Sequence, residues 1–399
     1  MKLSQRTVRL QLAEPLRISR STMAARDAVW VFIEHEGRCG RGEAVASVYQ
    51  GLDAPTIERL LAHQAAPETS AFSDPESALD ALRARQAPAA DTTVRQHTAA
   101  RGTPAPPLLP PAVTAAVESA LLDLVGKRAG IPVHRLLGIP TPPRAATART
   151  IGITSPGGAA ARAVRLAHAG FSVIKLKAGS ADPEDDLARV RAVRAAAPHA
   201  RLLLDPNGGW RAEEAGVLLG RCAELGVEAV EQPIAPGDPE ALARLAERAP
   251  LPVIADEDAV DLDDARRLAG RVQGINVKLA KCGGVTAALR IAGLIAGSGT
   301  ELMLGCLTAS TLGIAPAVHL AGRARWIDLD GHLLLARDPW CGIGGGDGTV
   351  AASGHPGLGV RPRATRHTAP GEPASDLSAH RTHATHPAHD AHHLMKDQP

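Results

Sequence analysis

The chain has 399 residues, a length that exceeds one ordinary domain and can bury a large core. Its formal net charge is +2 and aromatic residues make up 2% of it, so it has neither the basic surface nor the stacking side chains typical of a nucleic-acid-binding protein. No stretch approaches the ~18 uninterrupted apolar residues that a membrane helix needs. We therefore expect a protein whose partners are neither nucleic acid nor membrane.

The amino terminus and the cysteines predict a cellular location. Residues 1–6 carry charge with no apolar run behind them, so we predict no signal peptide. The five cysteines have no paired spacing, which favours free thiols in a reducing compartment, and we expect a cytoplasmic protein. These cysteines are Cys39, Cys222, Cys282, Cys306 and Cys341.

Residues 1–145 have the pattern of a separate α+β unit. Two apolar runs predict strands, a polar run between them predicts a loop, and two periodic runs predict helices. The strands are 8–12 and 28–34, the loop is 17–23, and the helices are 54–66 and 74–86. Residues 87–111 are rich in Ala, Pro, Thr and Gly without periodicity, and predict a flexible insertion. The helix that follows, 112–129, is predicted to be amphipathic and to end before Gly130 and Pro132.

The central part of the chain repeats one pattern, a short apolar run that ends abruptly in a polar or small residue. After a first run at 150–153, the ends of the following runs lie 22 to 28 residues apart, about one strand plus one helix per step. This predicts eight parallel strands with intervening helices, a (β/α)8-type barrel over 146–335 with its active site at the carboxyl ends of the strands. The runs end at Lys177, Asp205, Glu231, Asp256, Lys278, Cys306 and the pair Asp328 and Asp330. The predicted helices are 157–169, 183–197, 211–225, 238–249, 261–270, 284–297 and 310–322.

Two segments follow the predicted barrel. Residues 336–361 are Gly-rich, and we expect them to return to the first unit. Residues 362–399 are rich in Pro, Ala and His and predict a disordered tail. The alternative is a metal-binding tract, which makes a metal-sequestering protein the non-enzymatic hypothesis for this chain.

Three successive predicted strands end in carboxylates, Asp205, Glu231 and Asp256. Adjacent strands lie about 4.8 Å apart, so these acids should converge on one small volume and repel one another unless a cation lies among them. Hard oxygen ligands favour Mg²⁺, or Mn²⁺, over zinc. A single carboxylate at a strand end commonly caps a helix instead. Three in consecutive units favour the metal site.

Lysine is rare in this chain and is concentrated beside those acids. Of 44 basic residues, seven are lysines, and four of the seven lie at the ends of two predicted strands. Lys175 and Lys177 share one face of a strand, and Lys278 ends a strand on the far side of the acids. An ammonium group beside a divalent cation has a depressed pKa, so one lysine can act as a base. The alternatives are an ion pair with the acids for Lys177 and Lys278, and an ordinary turn lysine at Lys281.

These residues resemble the sequence pattern of the enolase superfamily, and within it the muconate-lactonising enzyme subgroup. The similarity covers about 1–85 and 107–360. It rests on an ordered set of motifs: Lys175-Leu176-Lys177, Asp205-Pro206-Asn207, Glu231-Gln232-Pro233, Ala255-Asp256-Glu257 and Lys278-Leu279-Ala280-Lys281-Cys282-Gly283-Gly284.

The resemblance implies a modified, enolase-like barrel with an α+β capping domain, whose loops at 16–26 and about 46–52 close over the substrate. It implies that the three acids ligate Mg²⁺ and that Lys177 and Lys278 are the acid/base pair of a metal-stabilised enediolate, the scheme known for this superfamily. Lys175 would help to hold the substrate carboxylate. Because such proteins often assemble, a homo-oligomer is expected.

Asp328 and Asp330 discriminate among the reactions of this subgroup. Two carboxylates two residues apart on the last strand face the same cavity and suit a substrate with a free ammonium group. The arrangement resembles that of dipeptide epimerases, in which such a pair holds the α-ammonium of an L,L-dipeptide. Structural capping of the following turn is the alternative.

The resemblance also implies that Thr150, on the first strand, contacts the substrate. Met303-Leu304-Gly305-Cys306-Leu307-Thr308 resembles the seventh strand of the same group, which implies that Cys306 and Thr308 lie beside the substrate. Arg20 is predicted to grip a substrate side-chain carboxylate, whereas Asp258 departs from the Ser or Thr that usually follows Ala-Asp-Glu. We therefore expect a Mg²⁺-dependent dipeptide epimerase that inverts the α-carbon of the carboxyl-terminal residue by a two-base 1,1-proton transfer. The alternatives on the same scaffold are a muconate-type cycloisomerase, an o-succinylbenzoate synthase and an N-acylamino-acid racemase.

Overall fold

The structure is a computed structural model that describes residues 1–86 and 109–364. Met1–Arg363 forms one compact unit. Most of the insertion predicted at 87–111, and the predicted tail from residue 365 onward, lie outside the described residues.

Within the described ranges, no helix combines the length and the apolar character needed to cross a bilayer.

The amino-terminal unit begins, in the described part of the chain, with a three-stranded antiparallel sheet in the order β1-β2-β3. Its strands are β1 Lys2–Ile18, β2 Ser21–His35 and β3 Arg38–Val45. The loop predicted at 17–23 is wrong, because β1 and β2 stay paired as far as Ile18 and Ser21 and leave a two-residue turn of Ser19 and Arg20. The polar side chains there are exposed although their strands are paired, so the polar pattern indicated exposure to solvent and not the end of the sheet.

Short helices follow this sheet, and two of them begin at an aspartate cap. Asp53 accepts a hydrogen bond from Thr56 N and Asp74 accepts one from Ser77 N, each 2.8 Å long. These bonds satisfy amide groups that a helix start leaves unpaired. The helices are α1 Ala54–Leu60 and α2 Ala66–Ser70, joined by the π-helical turn Leu61–Ala65, and α3 Pro75–Arg85. They confirm the helical predictions at 54–66 and 74–86.

Helix α4, Pro111–Ala129, is buried on nearly all sides, so the prediction of an amphipathic helix is wrong. It packs against β3 on one side and against the barrel on the other. A Cβ at Gly42 of β3 would lie 2.0 Å from the Ala116 carbonyl oxygen, so only glycine fits there. Glu118 and Asp123, the acidic residues of α4, are 0% and 2% exposed. Hydrogen bonds from backbone amide groups of other segments offset the cost of burying these two carboxylates.

After a short helix, α5 Val133–Leu136, and a short strand, β4 Arg144–Ala146, the described chain forms an eight-stranded parallel barrel sheet in which each strand pairs with the next in sequence. This confirms the predicted (β/α)8-type architecture with an α+β cap. The strands are β5 Ala148–Ile151, β6 Val173–Lys177, β7 Arg201–Asp205, β8 Val227–Glu231, β9 Val253–Ala255, β10 Gly274–Lys278, β11 Glu301–Gly305 and β12 Trp326–Asp328. The helices are α6 Pro156–His168, α7 Pro183–Ala196, α8 Ala212–Glu224, α9 Pro239–Arg248, α10 Leu262–Leu268, α11 Leu279–Cys282, α12 Val285–Ile295 and α13 Thr311–Val318.

Alternation along the barrel strands decides which side chains face its centre. An apolar layer fills the amino-terminal end and consists of Ala148, Val173, Leu203, Ala229, Ile254, Met303 and Trp326. Two residues further along the same strands, the inward positions are Thr150, Lys175, Asp205, Glu231, Asp256, Gly305 and Asp328. The polar groups therefore lie above an apolar floor, at the carboxyl ends of the strands.

The first and last barrel strands, β5 and β12, form no backbone ladder with each other within the described residues. Side chains join them at this seam instead. The Thr147 hydroxyl accepts a hydrogen bond from Leu329 N (2.9 Å), and the Asp330 carboxylate accepts one from Thr150 N (2.7 Å). The guanidinium of Arg149 donates to the same Asp330 oxygen (3.1 Å).

The segment that follows the barrel contacts the amino-terminal unit. Its strands β13 Trp340–Cys341 and β15 Arg361–Pro362 pair with each other, and β14 Thr349–Ala351 pairs with β4. Trp340 packs edge-on against Trp30 of β2, with ring centroids 5.1 Å apart. Leu358 N donates to Asp123 of α4 (2.9 Å).

Candidate active site

Three buried carboxylates lie at the ends of neighbouring strands: Asp205 ends β7, Glu231 ends β8 and Asp256 follows β9. The chain turns sharply after two of them, because Asn207 and Gln232 adopt positive φ angles of 50° and 37°. Asn207 N donates to Asp205 Oδ1 (2.9 Å), and Gln232 Oε1 accepts from Asp256 N (3.0 Å). These contacts fix the strand ends that carry the acids.

Lys175 lies beneath the acids and is 1% exposed. Its Nζ is 3.1 Å from Asp205 Oδ2, 2.5 Å from Glu231 Oε2 and 2.7 Å from Asp328 Oδ2. One cation thus links two of the predicted metal ligands to an aspartate predicted to bind the substrate. The predicted contact of Lys175 with a substrate carboxylate stays a prediction.

Lys177 and Lys278 lie at opposite ends of the row of acids. Lys177 Nζ is 2.5 Å from Asp205 Oδ2, and Lys278 Nζ is 2.6 Å from Asp256 Oδ2. Because β7 and β9 lie on either side of β8, the two ammonium groups approach the row from opposite flanks. The ion pairs with the acids, which were the alternative interpretation of these lysines, are present.

Lys281 was interpreted as an ordinary turn lysine, and that interpretation missed its contact with the acids. Its Nζ lies 2.5 Å from Asp256 Oδ1 and also donates to the carbonyl oxygens of Asp256 and Ala259. The available signal was the Lys-x-x-Lys spacing, which puts Lys278 and Lys281 on one side of a helical turn. Asp256 therefore receives two ammonium groups.

The crowded charges shift the ionisation of these groups in different directions. Burial, and then the neighbouring Asp205 carboxylate, raise the pKa of Glu231 to about 7. Burial opposes the ionisation of Asp205, but the lysine ammonium groups that contact it lower its pKa to about 2. Burial would lower the pKa of Lys278, yet Asp256 and Glu231 outweigh it and hold that pKa above the ordinary lysine value. The depressed lysine pKa that the sequence predicted depends on the charge of a divalent cation, and carboxylates alone have the opposite effect.

The three acids have the donor chemistry of a magnesium site, although they form a row and not a closed cluster. In the part of the chain that the structure describes, no three acidic, histidine or cysteine side chains surround one point as metal ligands. Ammonium groups lie between the acids: Lys175 contacts Asp205 and Glu231, and Lys278 is 2.6 Å from Asp256 and 3.8 Å from Glu231. The three acids therefore do not converge on one point, and lysine ammonium groups bridge them two at a time. Buried carboxylate oxygens in one layer fit Mg²⁺ better than zinc.

Asp328 and Asp330, predicted to bind a substrate ammonium group, have different surroundings. Asp328 Oδ2 accepts from Lys175, whereas Asp328 Oδ1 is buried and has no hydrogen-bond partner among the described residues. Asp330 Oδ2 accepts from Thr150 N and from Arg149 across the seam. The alternative role, a side-chain cap of the following turn, is wrong for Asp330, because its side chain makes no capping bond.

Cys306 and Thr308 follow β11 on the segment that leads to α13. Cys306 lines a small cavity together with Lys278 and with Glu43 of β3. Burial raises the pKa of the Cys306 thiol, which favours its protonated form. Thr308, on the same segment, is also buried.

Arg20 lies on the turn between β1 and β2 and reaches the loops beside the acids. Its guanidinium is 2.6 Å from Glu257 Oε1 and donates to Asn207 O (2.9 Å). It thus ties the amino-terminal unit to the loops that follow Asp205 and Asp256. Its predicted contact with a substrate side chain stays a prediction.

Two family models match the chain in order along the sequence. Residues 2–138 match the N-terminal domain of mandelate racemase / muconate lactonizing enzymes, and residues 158–366 match the enolase C-terminal domain-like model. A hydrophobic dipeptide epimerase of Roseobacter litoralis is 32% identical over 363 residues, which cover 90% of this chain and 98% of that protein. The chain belongs to the mandelate racemase / muconate lactonizing enzyme family.

Solved structures of this family share the fold of this chain along most of its length. The L-Ala-D/L-Glu epimerase from Bacillus subtilis, in a substrate-liganded complex, matches with a TM-score of 0.79 at 28% identity and covers 92% of this chain and 100% of its own. The dipeptide epimerase from Enterococcus faecalis V583, complexed with Mg and L-Leu-L-Tyr, matches with a TM-score of 0.77 at 29% identity, with coverages of 90% and 98%. The enolase-superfamily resemblance predicted from the motifs is confirmed.

Some side chains that hold the acids in place in this member of the mandelate racemase / muconate lactonizing enzyme family were not predicted from the sequence. Gln232 Nε2 donates to Asp258 Oδ2 (2.7 Å), and Gly237 N donates to Asp258 Oδ1 (2.7 Å). The residue at which the chain departs from the family pattern therefore joins the loops behind the acids. Asn276 Nδ2 donates to Glu231 Oε1 (2.8 Å). Strand alternation was the available signal, because Asn276 lies two residues before Lys278 on the inward face.

Proposed function

We propose that this chain is a Mg²⁺-dependent dipeptide epimerase that inverts the α-carbon of the carboxyl-terminal residue of an L,L-dipeptide. The observation that carries the proposal is the pair of ammonium groups, Lys177 and Lys278, on opposite flanks of one row of buried carboxylates. The relatives support it, because the protein at 32% identity and the two solved structures described above are dipeptide epimerases.

Inversion at one carbon requires that a proton leave one face and that another arrive on the opposite face. In our proposal Lys177 and Lys278 take these two roles, one as a free amine that accepts the α-proton and the other as an ammonium group that donates one. The roles exchange when the reaction runs in reverse. The contacts with Asp205 and Asp256 orient the two amines by charge-assisted hydrogen bonds.

Asp205, Glu231 and Asp256 are the residues that would hold Mg²⁺. When bound, the ion supplies positive charge that stabilises the substrate carboxylate as negative charge develops on it. Lys175 contacts two of these acids from beneath and offsets their mutual repulsion. Asn276 holds Glu231 from the side of β10.

The amino group of the dipeptide would bind at Asp328 and Asp330. Asp328 Oδ1 is a buried acceptor without a donor among the residues that the structure describes, and a buried polar atom of this kind costs free energy until a donor reaches it. A substrate ammonium group supplies that donor. We propose that Thr150, Cys306 and Thr308 contact the rest of the dipeptide.

An N-acylamino-acid racemase is the second candidate, and one observation favours it. Asp330 is already paired with Arg149, 3.1 Å away, which reduces the negative charge left for a substrate ammonium group. Such an enzyme would keep the lysines and the acids and would need no ammonium site.

We further propose that the reaction takes place in the cytoplasm on a small-molecule substrate, without a nucleic-acid or membrane partner. All five cysteines are free thiols, which suits a reducing compartment. A homo-oligomer stays a prediction.

The experiment is a screen of L,L-dipeptide mixtures in deuterium oxide, with N-acylated dipeptides as the matched set and mass spectrometry as the measurement. The proposal expects deuterium at the α-carbon of the second residue and formation of the L,D-diastereomer, both lost on chelation of Mg²⁺ and restored by adding it. Exchange in the N-acylated set alone would favour the second candidate. No exchange in either set would contradict both.

A further inference from the structure

The start of helix α12, at Val285, is capped by a carboxylate from a distant part of the chain. Glu118 of α4, fully buried, accepts hydrogen bonds at its two carboxylate oxygens from Val285 N (2.5 Å) and Thr286 N (3.0 Å), and also from the Thr286 hydroxyl. These are amides that the first turn of α12 would otherwise leave unpaired. A negative charge at a helix start is also favoured by the helix dipole.

The backbone at this point is shaped to admit that carboxylate. Gly284 has a φ of 118°, and a Cβ there would lie 2.0 Å from Glu118 Oε2. Any other residue at this position would be strained and would push the carboxylate away from the amides.

The turn that ends at Gly284 begins directly after Lys278. Gly283 N and Gly284 N both donate to Leu279 O at 3.0 Å, so hydrogen bonds join the two ends of the turn. It also carries Lys281, whose Nζ contacts Asp256 on the opposite oxygen from Lys278. A displacement at Gly284 therefore reaches both ammonium groups on Asp256.

Two further side chains of the amino-terminal unit hold the same turn. Gln50 Nε2 donates to Ala280 O, and Gln86 Nε2 donates to Gly283 O, each at 3.0 Å. The turn after Lys177 is held differently, because Gly179 N and Ser180 N donate to Asp186 of the barrel itself. The amino-terminal unit thus holds the segment after Lys278 through Gln50 and Gln86, which bind the turn, and through Glu118, which caps the helix that follows it.

We propose that Glu118 is a positioning residue for Lys278 and not for Lys177, acting through the turn 279–284. The inference rests on the proposed two-base epimerisation and adds to it that the capping domain fixes one of the two proton-transferring lysines. Loss of the Glu118 cap should therefore slow one half of the reaction more than the other.

The test uses Glu118→Gln, which keeps the volume of the side chain but turns one acceptor oxygen into a donor that faces a backbone N–H. Asp123→Asn is the matched control. Asp123 lies on the same helix, is as deeply buried and accepts from Arg41 N and Leu358 N, but it touches no part of the turn. Thr286→Val, which removes only the hydroxyl donor to Glu118, is the milder second variant in case Glu118→Gln does not fold.

The measurement is the initial rate of solvent-deuterium incorporation, starting separately from the L,L- and the L,D-dipeptide. Lys278→Ala identifies which diastereomer loses its exchange when that lysine is missing. Glu118→Gln should slow exchange of that same diastereomer by about tenfold relative to the other. Thr286→Val should act in the same direction to a smaller extent, and Asp123→Asn should leave the ratio of the two rates unchanged.

Two results would overturn the positioning role and leave a structural one. The first is equal slowing of both diastereomers by Glu118→Gln, and the second is a change of the rate ratio in Asp123→Asn as large as the change in Glu118→Gln. This outcome differs from failure of the proposed function, in which the wild-type protein itself exchanges neither diastereomer.

Discussion

The backbone amide of Thr150 donates a 2.7 Å hydrogen bond to Asp330 Oδ2 and so joins the first barrel strand to the residues after the last. Arg149 donates to the same oxygen. Asp330 therefore closes the seam of the barrel at the place where the substrate's amino group is proposed to bind. The Asp330 oxygen accepts the hydrogen bonds of the seam, whereas its negative charge is proposed to bind the substrate ammonium group. A substitution can separate these two roles.

Asp330→Asn should keep the seam and weaken the ammonium site. The asparagine oxygen can still accept from Thr150 N, but the negative charge is lost, so kcat/KM for dipeptides with a free amino terminus should fall by about 100-fold. Activity on any N-acylated substrate should stay within a few-fold of wild type. A parallel loss on both substrate classes, accompanied by a lower Tm, would mean that Asp330 acts only at the seam.

His319 should make folding stability depend on pH. His319 is buried, its Nδ1 accepts from His134 N (3.0 Å), and burial lowers its pKa from 6.5 to about 4. Between these values the unfolded imidazole binds protons that the folded one does not. Stability from the neutral ring is therefore complete above pH 6.5, and about 3 kcal/mol of it is lost as the pH falls to 4.

The comparison that isolates this effect is urea unfolding of wild type and His319→Asn between pH 8 and pH 4. Carboxylates titrate in both proteins, so only the difference between their free energies of unfolding reports on His319. That difference should shrink as the pH falls. A difference that stays constant across the range would show that the ring is not held neutral in the folded protein.

Gly42→Ala should destabilise the contact between β3 and α4. The added Cβ would lie 2.0 Å from the Ala116 carbonyl oxygen, and because that atom belongs to a buried helix backbone the cost should be about 2 kcal/mol or more. Gly216→Ala is the control, because Gly216 is exposed on α8 with nothing within 4 Å of its Cβ position and alanine should stabilise the helix by about 0.5–1 kcal/mol. Equal Tm values for the two variants would contradict the tight fit.

The barrel and its row of acids were predictable because strand alternation repeats on a short, regular period. Once the apolar floor from Ala148 to Trp326 is recognised, the inward residues two positions later follow, including Asp205, Glu231 and Asp256. The loop prediction at 17–23 was wrong, because exposed positions on a paired strand and exposed positions in a loop both carry polar side chains.

The rest of the site depends on contacts between distant parts of the chain, which composition and periodicity do not encode. Glu118 lies in a helix that was predicted only to be amphipathic, yet it caps a helix start 167 residues further along. Arg149 points outward from its strand and finds Asp330 only because the barrel nearly closes. The raised pKa of Lys278 likewise depends on how many carboxylates surround it in space.

The proposed mechanism requires that Lys177 and Lys278 serve opposite faces of one carbon. Solvent-deuterium exchange in Lys177→Ala and Lys278→Ala tests this requirement directly. Each variant should lose epimerisation by at least about 1,000-fold, yet each should still exchange the α-proton of one diastereomer, a different one in each variant. Loss of exchange from the same diastereomer in both variants, or epimerisation at the wild-type rate in either, would contradict the two-base mechanism.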